Sequence, residues 1–590
     1  MAKERKQVDL MRGIGVSPGI ITGRAYLLNR GVEVTAHYCH LGEEETLKEI
    51  ERFKAALAAS QDQLRRVEEK MEADGREREH IRIIEAHSLI LKDRMLIDDT
   101  IGLIKKEKVN AEWALKKVLE KLMAYFEKID DEYLRERSYD FEHIVNRILF
   151  NLTGSRHESI TEIKDPSIVI AHDLAPSDTA QMVKGTILGF LTDLGGKTSH
   201  TAIIARALEI PAVVGLENIT GRVENGDAVI VDGTTGTVII NPSEKVVDVY
   251  RKRKERYDDY GRTLFHYRDL PCETTDGHRI KLMGNMEMIE EVDSLISHGA
   301  EGIGLYRTEF LYLNRKELPT EEEHFEAYTA VAGKAAPNPV IIRTLDVGGD
   351  KGLPGLEASE ENNPALGLRG TRFCLKNRDV FKAQLRGILR AAVTGNIKVM
   401  FPMISGIEEM RRAKAVLNEA MDELRTEKKA FNPDIEVGVM IEVPSAAVIA
   451  DLIVKEVDFI SVGTNDLLQY SLAIDRVNEH VAYLYQPFHP AVLRIIKTVA
   501  EAAAKAGVSA GVCGEMAGEP EYAFILLGFG INKLSMNAFS ILKVKRLLRS
   551  VSYAEAQKIC AEVINFATAK EVQQYISSKL SGLYTEEFFG

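Results

Sequence analysis

Apolar side chains recur every three or four positions across residues 43–153: Leu47, Ile50, Phe53 and Leu57, then Leu64, Val67 and Met71, and later Leu115, Leu119, Leu122, Phe126 and Ile129. That period gathers them on one side of an α-helix and leaves polar residues on the other. No proline lies between Pro18 and Pro166, and residues 43–153 contain only the glycines Gly75 and Gly102, so little interrupts helical hydrogen bonding. The pattern predicts a bundle of about four helices over residues 25–149. From residue 167 the texture changes to short β-branched runs bounded by turn residues, at 167–172, 212–215, 227–233 and 237–241, which predict strands. Residues 13–28 share that texture and are expected to join the same sheet across the helical insertion. The charged stretch 243–262, with Arg251, Lys252, Arg253 and Lys254, predicts a connecting helix whose basic face is solvated.

Beyond residue 265, eight apolar runs alternate with helical stretches: 282–286, 302–306, 340–344, 398–402, 436–441, 458–463, 509–514 and 533–537. This is the rhythm of a (β/α)8 TIM-type barrel. The fold class read from the pattern is a multidomain α/β protein: an α/β domain carrying an inserted helical bundle, followed by a C-terminal barrel. Arg307, Arg343, Glu442, Asn465 with Asp466, and Cys513 each stand at or just past the end of a different run. The C-terminal ends of barrel strands converge on one mouth, so these groups are expected to share a cavity.

Composition narrows the field. The 590 residues exceed what one compact unit of ~100–200 residues accounts for. With 76 basic and 89 acidic side chains the net charge is −13, a sign that repels nucleic-acid backbones and anionic lipid surfaces. No apolar run approaches the ~18 residues of a membrane span, and the charged start lacks the apolar core of a secretory signal. The five cysteines, Cys39, Cys272, Cys374, Cys513 and Cys560, are scattered without CxxC spacing. That usage fits a soluble protein of a reducing cytoplasm.

Two constellations carry chemistry. At the barrel mouth, Glu442 and Asp466 on neighbouring strands would offer hard oxygen ligands suited to Mg²⁺. Arg307, Arg343 and Arg476 would offer planar donor forks to phosphate and carboxylate oxygens. Cys513, between glycines in Gly511-Val512-Cys513-Gly514, could exchange a proton with substrate carbon. The second constellation is Gly195-Gly196-Lys197-Thr198-Ser199-His200, followed by the apolar stripe Ile203, Ile204, Ala207 and Leu208. It places His200 at a helix N-terminus, where free amides and the helix dipole favour an anion such as a phosphoryl group on the imidazole. A nucleotide P-loop is excluded, because GxxxxGK[ST] needs glycine where Leu191 stands.

The ordered set of motifs resembles enzyme I of the bacterial phosphoenolpyruvate-dependent phosphotransferase system. The matching stretches are Gly-Gly-Lys-Thr-Ser-His-Thr-Ala at 195–202, Gly-Leu-Tyr-Arg-Thr-Glu-Phe-Leu at 304–311, Arg-Thr-Leu-Asp-Val-Gly-Gly-Asp-Lys at 343–351, Ile-Glu-Val-Pro at 441–444, Gly-Thr-Asn-Asp-Leu at 463–467 and Val-Cys-Gly-Glu-Met-Ala-Gly at 512–518. The resemblance implies that phosphoenolpyruvate phosphorylates His200 at Nε2, leaving pyruvate, and that the phosphohistidine passes its phosphoryl group to a histidine of the carrier protein HPr. It implies that Arg307, Arg343 and Arg476 hold the phosphate with Asn465, that Glu442 and Asp466 ligate Mg²⁺ with Asp466 also facing substrate, and that Cys513 protonates the enolate carbon. Lys351 and Arg369 would be further substrate contacts.

The implied architecture is a swivelling phosphohistidine domain (1–24 and 150–240), an HPr-binding helical domain (25–149), a linker helix (241–265) and a phosphoenolpyruvate-binding barrel that homodimerises (266–590). With His200 and the barrel site in different domains, turnover is expected to need a swivel about the linker. Pyruvate, phosphate dikinase and phosphoenolpyruvate synthase share two of these parts but add an ATP-binding domain, for which residues 25–149 are too short and too poor in glycine. The nitrogen-branch form of enzyme I is expected to carry an extra N-terminal sensory domain. About ten residues precede the family's usual start, and Lys92 and Arg94 stand where a more acidic stretch would receive a basic HPr, so a variant HPr is the expected partner.

Overall fold

The computed structural model describes residues 8–28, 38–73, 87–126, 132–153, 163, 165–174, 185–196, 199–312, 317–348, 363–475, 478 and 480–581. The chain divides into two compact units, Met1–Asp258 and Asp259–Glu587.

The first unit contains strands β1 (Asp9–Arg12), β2 (Ile14–Ser17), β3 (Ile20–Leu27), β4 (Ser167–Ala171), β5 (Ile187–Thr192), β6 (Ala212–Val214), β7 (Ala228–Asp232) and β8 (Thr237–Ile240). They form one sheet in the order β1-β8-β7-β3-β4-β5-β6-β2, so the opening stretch does share the sheet, starting at Asp9. The central ladders from β3 through β6 are parallel, and the flanking ones are antiparallel. Strand alternation sends Ile168 and Ile170 to one face and Val169 and Ala171 to the other, and each face is covered by its own apolar cluster.

Between β3 and β4 the chain forms helices α1 (Glu43–Ala73), α2 (Arg94–Glu107), α3 (Ala111–Phe126) and α4 (Glu132–Thr153). They enclose a core of Ile50, Phe53, Leu57, Leu64, Leu115, Leu122 and Ile148. One stripe residue departs from the pattern: Leu47 is 68% exposed. The buried seam of α1 runs instead through Thr46, Ile50, Phe53, Leu57, Ser60 and Leu64, alternating steps of four and three. Thr46 and Ser60 tolerate burial because their hydroxyls donate back to Gly42 O and Ala56 O, at 2.9 and 2.8 Å. Ile129 lies outside the described residues, as do the side chains of Val67, Met71 and Phe126.

Helix α5 (His200–Leu208) crosses from β5 to β6 and buries Ala202 and Ala205 against Val169, Phe190 and Val214. Helix α6 (Glu244–Phe265) follows β8. Its basic run is not wholly a solvated face, because Arg253 pairs at 3.2 Å with Asp232, whose side chain is fully buried. Thr234 N and Thr235 N donate to that carboxylate's other oxygen, each at 3.1 Å.

The second unit is a closed parallel barrel of β9 (Lys281–Met286), β10 (Ile303–Arg307), β11 (Val340–Arg343), β12 (Ile397–Phe401), β13 (Val437–Ile441), β14 (Phe459–Val462), β15 (Ser509–Val512) and β16 (Lys533–Met536), with β16 pairing back onto β9. Its interior is filled by Leu305, Ile341, Met400, Met440, Phe459 and Cys513. Val439, Ile441 and Ile342 face outward into the larger core shared with the surrounding helices. Among the described residues no helix is long and apolar enough to cross a membrane.

Candidate active site

The pleat itself assembles the barrel mouth. Side chains two residues apart on a strand face the same way, so Leu305, Ile341 and Met440, which line the interior, carry Arg307, Arg343 and Glu442 inward one layer higher. Cys513, directly after β15, completes that layer beside Met440 and Phe459.

The two arginines are held by carboxylates. Arg307 Nη1 pairs with Glu287. Arg343, only 8% exposed, donates from Nη2 to Glu309 Oε1 at 2.8 Å and meets Asp346 Oδ2 through Nη1 at 3.1 Å. Burial works against the Arg343 charge, yet Glu309 and Asp346 hold the guanidinium more firmly protonated than usual. Arg369 approaches the same Asp346 Oδ2 at 3.1 Å, donates to Tyr470 Oη at 3.1 Å, and lies 3.8 Å from Asp466 Oδ1. Burial alone would raise Asp346, but Arg343 and Arg369 outweigh it and keep its carboxyl below the ordinary range. Asp346 is therefore the anion shared by two cations, Arg343 and Arg369.

Glu442 is 1% exposed. Its Oε1 accepts from Met403 N at 2.6 Å, and Met403 adopts a left-handed backbone with φ 56. Burial, followed by the charges of Asp346 and Asp466, pushes Glu442 well above the ordinary carboxylate range. A cation between Glu442 and Asp466 would offset that repulsion. A Cβ on Gly463 would lie 2.7 Å from Glu442 Oε2, so glycine is what gives the carboxylate room. Among the described residues no group of three or more His, Cys, Asp or Glu side chains forms a metal cage. Mg²⁺ seldom uses one, since it retains waters and substrate oxygens around one or two carboxylates, and the Glu442 and Asp466 pair suits that habit.

Asn465 is tied to the loop after β15: its Nδ2 donates to Glu515 Oε1 at 3.2 Å, and its Oδ1 accepts from Glu515 N at 2.9 Å. Cys513 is 2% exposed, with Sγ 3.8 Å from Val462 O. Burial pushes its thiol up to about 11, so at neutral pH it is a proton-bearing acid. The charges of Glu442, Arg343 and Arg307 also act on this thiol, as expected of groups sharing one mouth.

In the first unit, His200 is the first residue of α5. Ser199 caps the helix, accepting from Ala202 N at 3.3 Å, and donates to Gly196 O at 2.9 Å. Gly195 has φ 113, a conformation that side chains disfavour, which explains glycine at the turn from β5 toward His200.

The regions match three families in chain order: residues 12–137 match "PEP-utilising enzyme, N-terminal", 163–236 "PEP-utilising enzyme, mobile domain" and 262–553 "PEP-utilising enzyme, PEP-binding domain". A phosphoenolpyruvate-protein phosphotransferase of Staphylococcus carnosus is 44% identical over 566 residues, covering 95% of this chain and 97% of its own. The chain belongs to the phosphoenolpyruvate-protein phosphotransferase family. A Bacillus subtilis relative of the same name is 42% identical over 96% of this chain and 99% of its own. A solution structure of a protein called Enzyme I is 43% identical over 42% of this chain and 99% of its own, with TM-score 0.36. The chain is accordingly an enzyme of this family, built as an α/β unit with inserted helices and a barrel.

Of the residues singled out from sequence, the barrel brings together Arg307, Arg343, Glu442 and Cys513, with Asp466 beside Arg369. Arg476 and Lys351 lie outside the described residues. The counter-ions Asp346, Glu309 and Glu287 were missed, although Asp346 and Glu309 stand inside the motifs containing Arg343 and Arg307. An acid three residues from an inward arginine, or two residues past one, was the available signal. Nothing local marks Tyr470 or Met403, which meet Arg369 and Glu442 from distant segments.

Proposed function

We propose that this enzyme transfers the phosphoryl group of phosphoenolpyruvate to His200 Nε2 and from there to a histidine of an HPr carrier, releasing pyruvate, as the first step of phosphotransferase-system sugar uptake. The observation that carries this reading is the inward layer of Arg307, Arg343, Glu442 and Cys513, which combines cations, a buried acid and a protonated thiol at one barrel mouth. Arg307, Arg343 and Arg476 bind the phosphate, with Asn465 and Asp466 beside it. Held by Glu442 and Asp466, Mg²⁺ would neutralise phosphate and enolate oxygens. The imidazole of His200 attacks phosphorus as the bond from phosphorus to the enol oxygen breaks, and the helix N-terminus steadies the charge it gains. Cys513 gives its proton to the enolate carbon, which closes the balance as pyruvate.

The same reading divides the chain into a phosphohistidine domain (1–24 and 150–240), an HPr-binding domain (25–149), a linker helix (241–265) and a dimerising barrel (266–590) of a cytoplasmic enzyme. Exposed Lys92 and Arg94 beside α2 favour an HPr variant with acidic residues on its docking face. The decisive experiment is incubation with labelled phosphoenolpyruvate, Mg²⁺ and candidate HPr proteins. Label should appear on His200 and then on the carrier; label that never reaches His200 rejects the reading.

Gly463→Ala tests the metal assignment. Its methyl group would press on Glu442 Oε2 at 2.7 Å. We expect a loss of about 1–3 kcal/mol in stability, the range for overpacking. The Mg²⁺ concentration for half-maximal activity should rise at least about tenfold, the equivalent of roughly 1.4 kcal/mol in binding. An unchanged Mg²⁺ requirement would remove Glu442 from the metal site.

A further inference from the structure

Behind the barrel mouth runs a chain of buried polar side chains that the reaction described above does not use. Gln384, on the helix Arg378–Ala391, is fully buried, as are Thr308 and Tyr328, and His324 and Tyr312 are 1% exposed. Gln384 Oε1 accepts from Leu345 N at 3.0 Å. Because that backbone group can only donate, the amide orientation is fixed, and Nε2 donates to Thr308 Oγ1 at 3.0 Å and to Tyr328 Oη at 3.2 Å. Thr308 then spends its own proton on Arg343 O at 3.0 Å. Tyr328 Oη in turn meets His324 Nδ1 at 3.0 Å, and His324 Nε2 meets Tyr312 Oη at 3.1 Å. Tyr328 Oη, which accepts from Gln384, thus links the amide to His324 and through its ring to Tyr312.

The location gives this chain its meaning. Thr308 directly follows Arg307 at the end of β10, and Leu345 lies between Arg343 and Asp346 just past β11. One amide thus clasps the ends of the two neighbouring strands that present the arginines, and holds the turn that carries their counter-ion Asp346. Burying an amide, two phenols and an imidazole costs desolvation that apolar residues of similar volume would avoid. What the polar chain supplies in return is direction.

We propose that Gln384, through Thr308 and Leu345, is a positioning residue that sets the aim of Arg307 and Arg343 on the phosphoryl group in the phosphoenolpyruvate half-reaction. The inference rests on the functional reading above. A misplacement of about 1 Å at such a site can cost on the order of a hundredfold in rate.

The test is single-turnover labelling of His200 in the full chain by labelled phosphoenolpyruvate with Mg²⁺, followed to completion. The final stoichiometry reports how many molecules are folded and competent, and the rate reports positioning. Gln384→Met and Thr308→Val should each slow labelling about ten- to a hundredfold at full stoichiometry. Thr308→Ser, which keeps the hydroxyl, should restore the rate lost in Thr308→Val, and the double variant should be slowed by less than the product of the single effects. Rates within twofold of wild type at full stoichiometry would overturn the proposal, as would losses of stoichiometry that match losses of helical signal. If wild-type His200 took no label at all, the functional reading itself would fall and the inference with it.

Discussion

His200→Ala is expected to abolish covalent labelling by phosphoenolpyruvate and to reduce pyruvate release to background. No gradual loss is expected, because the imidazole supplies the electron pair of the bond that forms, and the proposed mechanism has no second acceptor. The substitution should leave the fold intact. His200 is the first residue of α5, capped by Ser199 Oγ, and alanine is the best helix former at such a position. The measurement is acid-labile label per chain after incubation with labelled phosphoenolpyruvate and Mg²⁺, with far-UV circular dichroism as the control. An alanine variant that still acquires label at wild-type stoichiometry would place the acceptor elsewhere.

Cys513→Ala should separate the two half-reactions. Without the thiol, the enolate left by phosphoryl transfer has no positioned acid, and pyruvate formation should slow by ~10²–10⁴, the usual contribution of a general acid. In the proposed mechanism, transfer from phosphorylated HPr to His200 does not use the barrel residues and should continue at the wild-type rate; loss of both would indicate misfolding. The pH dependence has a definite sign. In the proposed mechanism the protonated thiol is the acid, and burial raises its pKa to about 11, so the acid form persists well above neutrality and is lost only as pH rises toward that value. Pyruvate formation in single turnover should therefore stay flat to about pH 9.5. An ordinary thiol, with pKa ~8.5, would have lost most of its acid form by then, so a decline centred near that pH would exclude a buried Cys513 as the donor.

Much of the barrel was legible because its strands are short apolar runs and its mouth residues fall at their ends. The eight observed strands have ends within two residues of the runs that predict them. The sheet of the first unit was legible in part: β2, β3, β4, β6, β7 and β8 fall in the predicted stretches, whereas β1 (Asp9–Arg12) and β5 (Ile187–Thr192) lie outside them. The helical seam was less so. Spacing alone accepts Leu47 as readily as Thr46, and it does not show that a hydroxyl bonded to the preceding turn makes burial of the polar residue tolerable. The basic run on α6 was misread in one position, since Asp232 lies at the end of a strand and its pairing with Arg253 depends on where the helix packs.

By itself the sequence determined which residues reach the mouth. Strand alternation is a local property, so Arg307, Arg343 and Glu442 follow inward-facing Leu305, Ile341 and Met440 whatever surrounds them. What only the tertiary structure decided is how those groups are charged and aimed: Asp346 between Arg343 and Arg369, Met403 on Glu442, and Gln384 across the ends of β10 and β11. Most of these partners come from separate segments, brought together by strand order and burial. Burial also removes the water that would screen them, and this gives such pairings their strength.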